Sequence, residues 1–171
     1  LYLLCIKLGN ANQVIASFSQ FYSLIPGLLG RYLRANFYRF TLTNCSPRVV
    51  ISFASLFSQT KMTLEEGVYI GPQCNIGSCS VGRNTLIGSG VHIMSGKGQH
   101  NFSDLDTPIK DQGGEFTQID IGEDCWLGNG ALVMANIGKQ CVVAAGSVVI
   151  DDVPDYAIVA GNPAKVIKMR K

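Results

Sequence analysis

The polar stretch from residue 95 to residue 118 carries the side chains best suited to chemistry. It holds His100, one of two histidines in the 171-residue chain, followed by Asp104, Asp106 and Asp111. Imidazole is the side chain that titrates nearest to neutral pH, so His100 is predicted to act as a general base toward an acceptor hydroxyl or amine. Asp104 is predicted to fix the tautomer of that imidazole, with Asp106 as the alternative.

The ordinary alternative is an exposed loop histidine among solvated carboxylates. A structureless stretch of this length inside a compact domain is usually functional, which favours catalysis. The stretch has no Cys, and neither Ser95 nor Ser103 has an evident activating partner, so no covalent intermediate with the protein is predicted. Ser95 is instead predicted to contact the substrate. The second histidine, His92, is predicted to point outward and to line a surface or a cleft.

The residues on both sides of this loop repeat an aliphatic position about every six residues, often followed by Gly. Strand side chains alternate between faces, so the small residues two positions earlier point the same way as the aliphatic ones. Each sixth step needs a corner, where Gly or Asn supplies backbone freedom. Three such sides make one coil of roughly 18 residues, which predicts a parallel β-helix. The aliphatic positions are Leu64, Ile70, Ile76, Val81, Ile87, Ile93, Ile121, Leu127, Val133, Ile137, Val143 and Val149.

Four of the six cysteines fall in the small inward register, at Cys74, Cys79, Cys125 and Cys141. A buried thiol packs as a small hydrophobe. The chain has no CxxC pair, so metal-ligand spacing is absent and no metal is expected. Core packing in a reducing compartment is the favoured interpretation of these residues.

Composition indicates one globular domain, since 47% of the residues are hydrophobic and 15% are charged. A formal charge of +2, without a basic stripe interleaved with aromatics, argues against a nucleic-acid partner. No apolar run reaches the roughly 18 residues of a membrane span, and no signal peptide is evident. A cytoplasmic protein is therefore predicted.

Residues 1 to 48 lack the six-residue repeat and place apolar residues at helical spacing, which predicts a helical segment. Two roles stay open for it: a cap over the first coil, whose strand edges would otherwise be unpaired, and a basic-aromatic surface within residues 1 to 44 that makes peripheral contact with the inner face of a membrane. The β-helix is predicted over residues 49 to 163, interrupted by the loop at 95 to 118. Residues 164 to 171 are predicted to form a short tail.

The repeats, the loop with His100, the segment IGEDCWLGNGALVMANIGKQCVVAAGSVV and the closing VAGNPAKVI together resemble the hexapeptide-repeat acyltransferases. The resemblance covers about residues 49 to 168 and points to the polysaccharide acetyltransferases of O-antigen, capsule and colanic-acid pathways. It implies an all-β fold, a left-handed parallel β-helix, as an exception to the right-handed crossover rule. It also implies a homotrimer with an active site between each pair of neighbouring subunits.

The same resemblance implies an acetyl-CoA-dependent O-acetyltransferase that acts on a sugar or a lipid-linked glycan, with His100 as the base for direct transfer. Trp126 would border the acceptor pocket, with corner packing as the alternative. The backbone amides of Asn129 and Gly130 would bind the thioester, and Ala145 and Gly146 would line the pantetheine arm. Lys165 and Lys168 would face the CoA phosphates, with solvated tail charges as the alternative.

Two other functions stay open at the level of sequence. Solenoids also serve as non-catalytic binding scaffolds. The same architecture hosts γ-carbonic-anhydrase-like metal enzymes with three histidine ligands, whereas this chain has only His92 and His100.

The stretch from residue 133 to residue 137 is two residues shorter than the full repeat that is common there, so local contacts with CoA are expected to shift.

Overall fold

The structure, a computed structural model, describes residues 2 to 170. Short strands wind into a coil with three flat faces, and each face is a sheet of stacked strands. Sheet A joins β1 (Asn44–Cys45), β4 (Thr63–Leu64), β7 (Cys79–Val81) and β10 (Ile119–Ile121). Sheet B joins β2 (Val50–Ile51), β5 (Tyr69–Ile70), β8 (Leu86–Ile87), β11 (Trp126–Leu127), β13 (Val142–Val143), β15 (Ala157–Gly161) and β16 (Ala164–Met169). Sheet C joins β3 (Leu56–Phe57), β6 (Asn75–Ile76), β9 (His92–Ile93), β12 (Leu132–Val133) and β14 (Val148–Val149).

Each strand from β1 to β15 pairs in parallel with the strand one coil away, so equivalent residues stack. On sheet B, Tyr69 pairs with Leu86 and Leu86 with Trp126. About six coils result, and the chain is a left-handed parallel β-helix, as the six-residue repeat and the resemblance predicted. The loop at residues 95 to 118 leaves between the third and fourth coils.

The interior of the β-helix is built from the two inward registers. Every aliphatic position of the repeat is buried, and the small positions between them are buried as well. All six cysteines are free thiols, and Cys74, Cys79, Cys125 and Cys141 lie in the core. Burial raises the pKa of Cys79 to about 12 and that of Cys125 to about 11, which leaves them protonated and inert as nucleophiles at neutral pH.

The N-terminal segment forms three helices, α1 (Tyr2–Leu8), α2 (Ala11–Ser23) and α3 (Gly27–Thr41). Helices α2 and α3 cover the open edge of the first coil, and α1 packs on α2. The edge strand groups find partners there. The backbone N–H of Phe57 donates to Ser19 Oγ at 2.8 Å, and the carbonyl oxygen of Ile51 accepts from Arg34 Nε at 3.1 Å. Unpaired strand groups at a β-helix end invite aggregation, so these helices act as a cap. No helix within residues 2 to 170 has the length and apolar character needed to cross a membrane.

The structure differs from the predicted boundaries at both ends of the β-helix. Strand β1 already pairs with β4 at residues 44 and 45, before the predicted start at 49, because helix α3 ends at Thr41. The predicted tail folds back as β16, antiparallel to β15, over residues 164 to 169. Such a hairpin gives the last coil of sheet B a paired edge.

The shortened segment at residues 133 to 137 is held to the neighbouring coils partly by side chains. Asn136 Oδ1 accepts from the N–H of Asp120 at 2.9 Å, and Asp152 Oδ1 accepts from the N–H of Asn136 at 2.9 Å. These carboxamide and carboxylate oxygens add to the backbone pairing, in which Ile137 makes isolated bridges to Ile121 and Val153 and its N–H donates to the carbonyl oxygen of Asp120 at 2.8 Å.

Candidate active site

The loop at residues 95 to 118 is tied at its base. Ser95 Oγ, almost fully buried, accepts from the N–H of Ser78 at 2.8 Å, and the carbonyl oxygen of Ser95 accepts from the N–H of Thr117 at 3.0 Å. Farther out, the two arms of the loop touch at Gly114, where a Cβ would collide with the carbonyl oxygen of Gln99 and approach the N–H of His100 at 2.8 Å. Only glycine therefore fits where the loop passes His100.

Gln112 organises the outer half of the loop. Its Oε1 accepts from the N–H of Asp104 at 3.1 Å, and its Nε2 donates to the carbonyl oxygens of Asp104 at 2.6 Å and Thr107 at 2.7 Å. Asn101, beside His100, donates from Nδ2 to the carbonyl oxygen of Gln112 at 3.1 Å. Sequence reasoning missed Gln112, since nothing in a linear polar stretch shows that its side chain bridges the turn.

The carboxylate of Asp104 faces its own turn. Its Oδ1 accepts from the N–H groups of Asp106 at 2.9 Å and Thr107 at 3.4 Å. The side chain of Thr107 and then the N–H of Asp106 hold the pKa of Asp104 below its usual value. No hydrogen bond among the described residues joins Asp104 or Asp106 to His100, so the orienting role of Asp104 stays a prediction.

The two histidines occupy different settings. His100 is exposed on the loop, and none of the hydrogen bonds among residues 2 to 170 uses its ring. His92 lies outward on β9, where its Nε2 is 3.5 Å from Nδ2 of Asn75 one coil earlier. An imidazole held free in solvent beside a fixed backbone is available to a substrate.

A cleft of about 290 Å³ lies on sheet C between helix α2 and the loop. Its floor includes the stacked outward residues Asn75 and His92, and Gln20 of α2 forms one wall. Gln99 and Phe116 of the loop form the other wall, and Ser95 lies at its base. Amide, imidazole and aromatic groups that converge in a concave site are typical of pockets for polar small molecules.

The corner between sheets B and C has two unbonded backbone amides, one above the other. Gly128 donates to the carbonyl oxygen of Val143 at 2.8 Å, and a Cβ on Gly128 would collide with the N–H of Ala145. No hydrogen bond among the described residues uses the N–H of Asn129 or Ala145. Donors that point to solvent from a rigid corner can bind a carbonyl or an oxyanion.

The other predicted corner groups are engaged in the fold. The N–H of Gly130 donates to the carbonyl oxygen of Ser89, and the N–H of Gly146 to that of Asn129, each at 2.9 Å. The side chain of Asn129 is engaged too, since its Oδ1 accepts from the N–H of Ser89 at 3.0 Å. Gly130 and Gly146 therefore serve the corner through positive φ angles of 68° and 67°, which favour glycine.

Trp126 lies outward on sheet B, 55% exposed, in a shallow groove with Leu86 and Val142. This position is on a strand face and does not pack a corner. The loop with His100 begins and ends at the edge between sheets C and A. One chain therefore places Trp126 and the base of the His100 loop on different sides of the β-helix.

The two predicted phosphate-binding lysines lie on β16. Lys165 Nζ is 3.8 Å from Asp151 Oδ2, and Lys97 at the base of the loop is 3.7 Å from Asp151 Oδ1. Lys168 is exposed and belongs to none of the ion pairs within residues 2 to 170. Exposed ion pairs are weak, so both ammonium groups are available to an anionic ligand.

Comparison with solved structures identifies the architecture. A hexapeptide-repeat-containing acetyltransferase from Vibrio cholerae has a TM-score of 0.63 at 21% identity, over 95% of this chain and 94% of that chain. A maltose O-acetyltransferase from Clostridium difficile 630 has a TM-score of 0.61 at 19% identity, over 95% and 90%. The fold is that of the hexapeptide-repeat acetyltransferases.

A third solved structure with this hexapeptide-repeat fold is a mutant of AntD, an N-acyltransferase from Bacillus cereus in complex with dTDP-4-amino-4,6-dideoxyglucose and coenzyme A. It has a TM-score of 0.62 at 19% identity, over 72% of this chain and 70% of that chain. No model of a protein family matches the sequence, and no curated protein is significantly similar to it. The likeness thus confirms the resemblance predicted from sequence at the level of the fold.

Within this hexapeptide-repeat fold, the predicted site residues form separate groups. His100 and Asp104 lie on the loop, whereas Ser95 is buried at its base. Trp126 lies on sheet B, and the free amides of Asn129 and Ala145 lie at its corner with sheet C. No three His, Cys, Asp or Glu side chains within residues 2 to 170 are placed to hold a metal ion.

Proposed function

We propose that the protein is an acyl-CoA-dependent O-acetyltransferase that transfers an acetyl group from acetyl-CoA to a hydroxyl of a sugar, in the synthesis of exopolysaccharide, capsule or O-antigen. The observation that carries this proposal is the exposed imidazole of His100 on a loop whose backbone is fixed by Gly114 and Gln112. The fold supports the reaction class, because proteins of this fold include O- and N-acyltransferases.

His100 would take the proton of the acceptor hydroxyl while that oxygen attacks the thioester carbonyl. The N–H groups of Asn129 and Ala145 would donate to the thioester oxygen as it gains negative charge. The proton stays on the imidazole until the thiolate of CoA leaves, and the thiolate then accepts it. Lys165 and Lys168 would bind the phosphates of CoA. Proximity of thioester and hydroxyl supplies much of the acceleration, and proton removal adds roughly 100 to 10,000-fold.

A site that uses both His100 and Trp126 needs more than one copy of the chain, since one chain places them on different sides. We therefore propose a homotrimer in which the loop of one subunit faces sheet B of its neighbour. Trp126, exposed on that sheet, would border the acceptor. A closed cyclic assembly repeats one heterologous contact three times and completes three equal sites.

The cleft between helix α2 and the loop is the proposed pocket for the acceptor sugar. Gln20, Asn75 and Gln99 offer donors and acceptors for hydroxyl groups, and Phe116 offers an apolar face. Ser95 lines this cleft as well, so its contact with the substrate stays a prediction, and its hydroxyl also holds the start of the loop. The acceptor is a free or lipid-linked glycan at the cytoplasmic side of a membrane, and the six free thiols suit that reducing compartment.

A thiol-release assay tests the proposal. Acetyl-CoA is combined with a panel of sugars, sugar nucleotides and lipid-linked glycans, and wild type is compared with His100→Ala and with Ser103→Ala, an exposed residue of the same loop, as the control. We expect acceptor-dependent release of CoA that falls roughly 100 to 10,000-fold in His100→Ala only. Acetyl-CoA should raise the melting temperature of both variants as it does that of wild type.

Wild-type turnover in His100→Ala would remove His100 from the mechanism. Absence of CoA release together with absence of a thermal shift would favour a non-catalytic scaffold. A thermal shift without turnover would leave the donor site in place and direct the search toward larger glycan acceptors.

A further inference from the structure

The outer face of the helical cap exposes many large apolar side chains. Nine of its large apolar side chains are exposed, and Phe40 is 85% exposed. Scattered apolar residues are normal on a surface, but a contiguous patch marks an interaction site. The nine residues are Leu3, Leu4, Phe21, Leu24, Leu28, Leu29, Tyr32, Leu33 and Phe40.

Two open grooves connect four of these nine residues, Leu3, Phe21, Leu33 and Phe40. They have volumes of about 580 and 440 Å³, and both are lined by Tyr2, Tyr22 and Phe37. Phe21 forms the rim of the first groove, and Leu33 and Phe40 line the second. Exposed side chains from each of the three helices thus border one shared floor of aromatic rings.

The inner face of the same helices is already complete, so the apolar outer face is not a misplaced core. Arg34 is 99% buried, since only 1% of it is exposed, and its NH1 donates to the carbonyl oxygen of Ile25 at 2.7 Å. Tyr38, fully buried, shares a hydrogen bond of 2.7 Å with Ser19. Turning helix α3 to bury Leu29 and Phe40 would break these hydrogen bonds of Arg34 and Tyr38.

Charge distinguishes this end of the molecule. The first 64 residues contain six Lys or Arg and no Asp or Glu, whereas the other 107 contain eight Lys or Arg and all twelve acidic residues. Lys7 and Arg39 are exposed on helices α1 and α3, and none of the ion pairs within residues 2 to 170 includes them. The outer face therefore combines apolar side chains with unneutralised positive charge.

We propose that this face docks on an anionic lipid bilayer. Leu29, Phe40 and their neighbours would enter the boundary between headgroups and acyl chains, while Lys7 and Arg39 would face the phosphates of the lipids. An amphipathic helix with cations beside apolar residues binds a membrane surface in this way. A second copy of the chain is a poorer occupant, because it would bring two positive faces together. Docking would hold the β-helix at the membrane surface, with the helical cap against the bilayer.

Vesicle flotation with the full chain tests the proposal. The vesicles contain phosphatidylcholine alone, or phosphatidylcholine with about 30 mol% phosphatidylglycerol. We expect binding to the anionic vesicles only, weakened by added salt. Leu29→Ser combined with Phe40→Ser should lower the partition coefficient roughly tenfold or more, and Arg39→Gln about fivefold. The control is Ile167→Ser, which removes an apolar side chain from β16 that is 62% exposed, close to the 67% of Leu29.

Three outcomes would overturn the proposal. The first is failure of the wild-type chain to float with anionic vesicles. The second is equal binding by wild type and the Leu29→Ser, Phe40→Ser variant. The third is a lower molecular mass of that variant in light scattering, which would show that copies of the chain cover this face. None of these measurements depends on acetyl transfer.

Discussion

The hydroxyl of Ser95 accepts a hydrogen bond of 2.8 Å from the backbone N–H of Ser78, and this bond joins the start of the loop at residues 95 to 118 to the coil beneath it. Both residues are buried, so no water replaces the bond. Ser95, which is predicted to contact the substrate and lines the cleft, therefore also holds the loop that carries His100.

Ser95→Ala should destabilise the protein by about 1 to 3 kcal/mol, because the N–H of Ser78 would lose its partner in a buried setting. Urea unfolding of wild type and variant measures this difference. Ser103→Ala, an exposed change in the same loop, is the control and should stay within about 0.5 kcal/mol of wild type. Equal stability of all three proteins would contradict the role given to Ser95.

Gly114→Ala should lower turnover roughly tenfold to a hundredfold, since a Cβ there collides with Gln99 and displaces the backbone of His100. The melting temperature should change little, because the loop lies outside the core. Gly98→Ala serves as the control: its Cβ would meet only the carbonyl oxygen of Glu115, at an ordinary 3.8 Å. Normal turnover in Gly114→Ala would show that the loop adapts.

Asp104→Asn should retain turnover within about twofold, whereas Asp104→Ala should lose it, because an asparagine oxygen can still accept from Asp106 and Thr107. The depressed pKa of Asp104 has the same cause, so the turn is weakened only as the pH falls toward the pKa of the folded state. Steady-state kinetics of the two variants separates the alternatives. An equal loss in both would favour the predicted orienting carboxylate.

Asn75→Ala should raise the KM for the acceptor and leave the affinity for acetyl-CoA unchanged, because Asn75 forms the floor of the cleft. Loss of one hydrogen bond to an uncharged hydroxyl corresponds to roughly a threefold to tenfold change. Thr63→Ala is the control, because Thr63 lies on sheet A and does not line the cleft. Unchanged acceptor kinetics in Asn75→Ala would place the acceptor elsewhere.

Stability should decline as the pH rises above about 9, where an exposed thiol ionises but the buried thiols stay protonated. Cys79, Cys125 and Cys45 have pKa values raised to about 12, 11 and 11 in the folded chain, so unfolding releases protons in this range. Each contributes a loss of about 2 kcal/mol by pH 10.5. Urea unfolding of Cys79→Ala between pH 8 and 10.5 should show a shallower decline than that of wild type. An identical slope would contradict this.

The sequence by itself determined the β-helix. A repeat of six residues places Ile70, Ile87 and Leu127 on one inward line whatever lies around them, because the corner and the alternation of strand side chains are local. The exposed position of Trp126 and the inward cysteines follow from the same local rule. The extent of the loop was also readable, since the repeat stops at Ile93 and resumes at Ile119.

Tertiary structure alone decided how the loop is held and which amides are free. Gln112 bridges its turn, Ser95 bonds to a residue one coil away, and Asp104 faces its own backbone. The N–H of Gly130 is engaged while that of Asn129 is free, because only the stacking of neighbouring coils pairs one with Ser89 and leaves the other outward. Such contacts join residues distant along the chain, and no local pattern encodes which of two adjacent donors meets a partner.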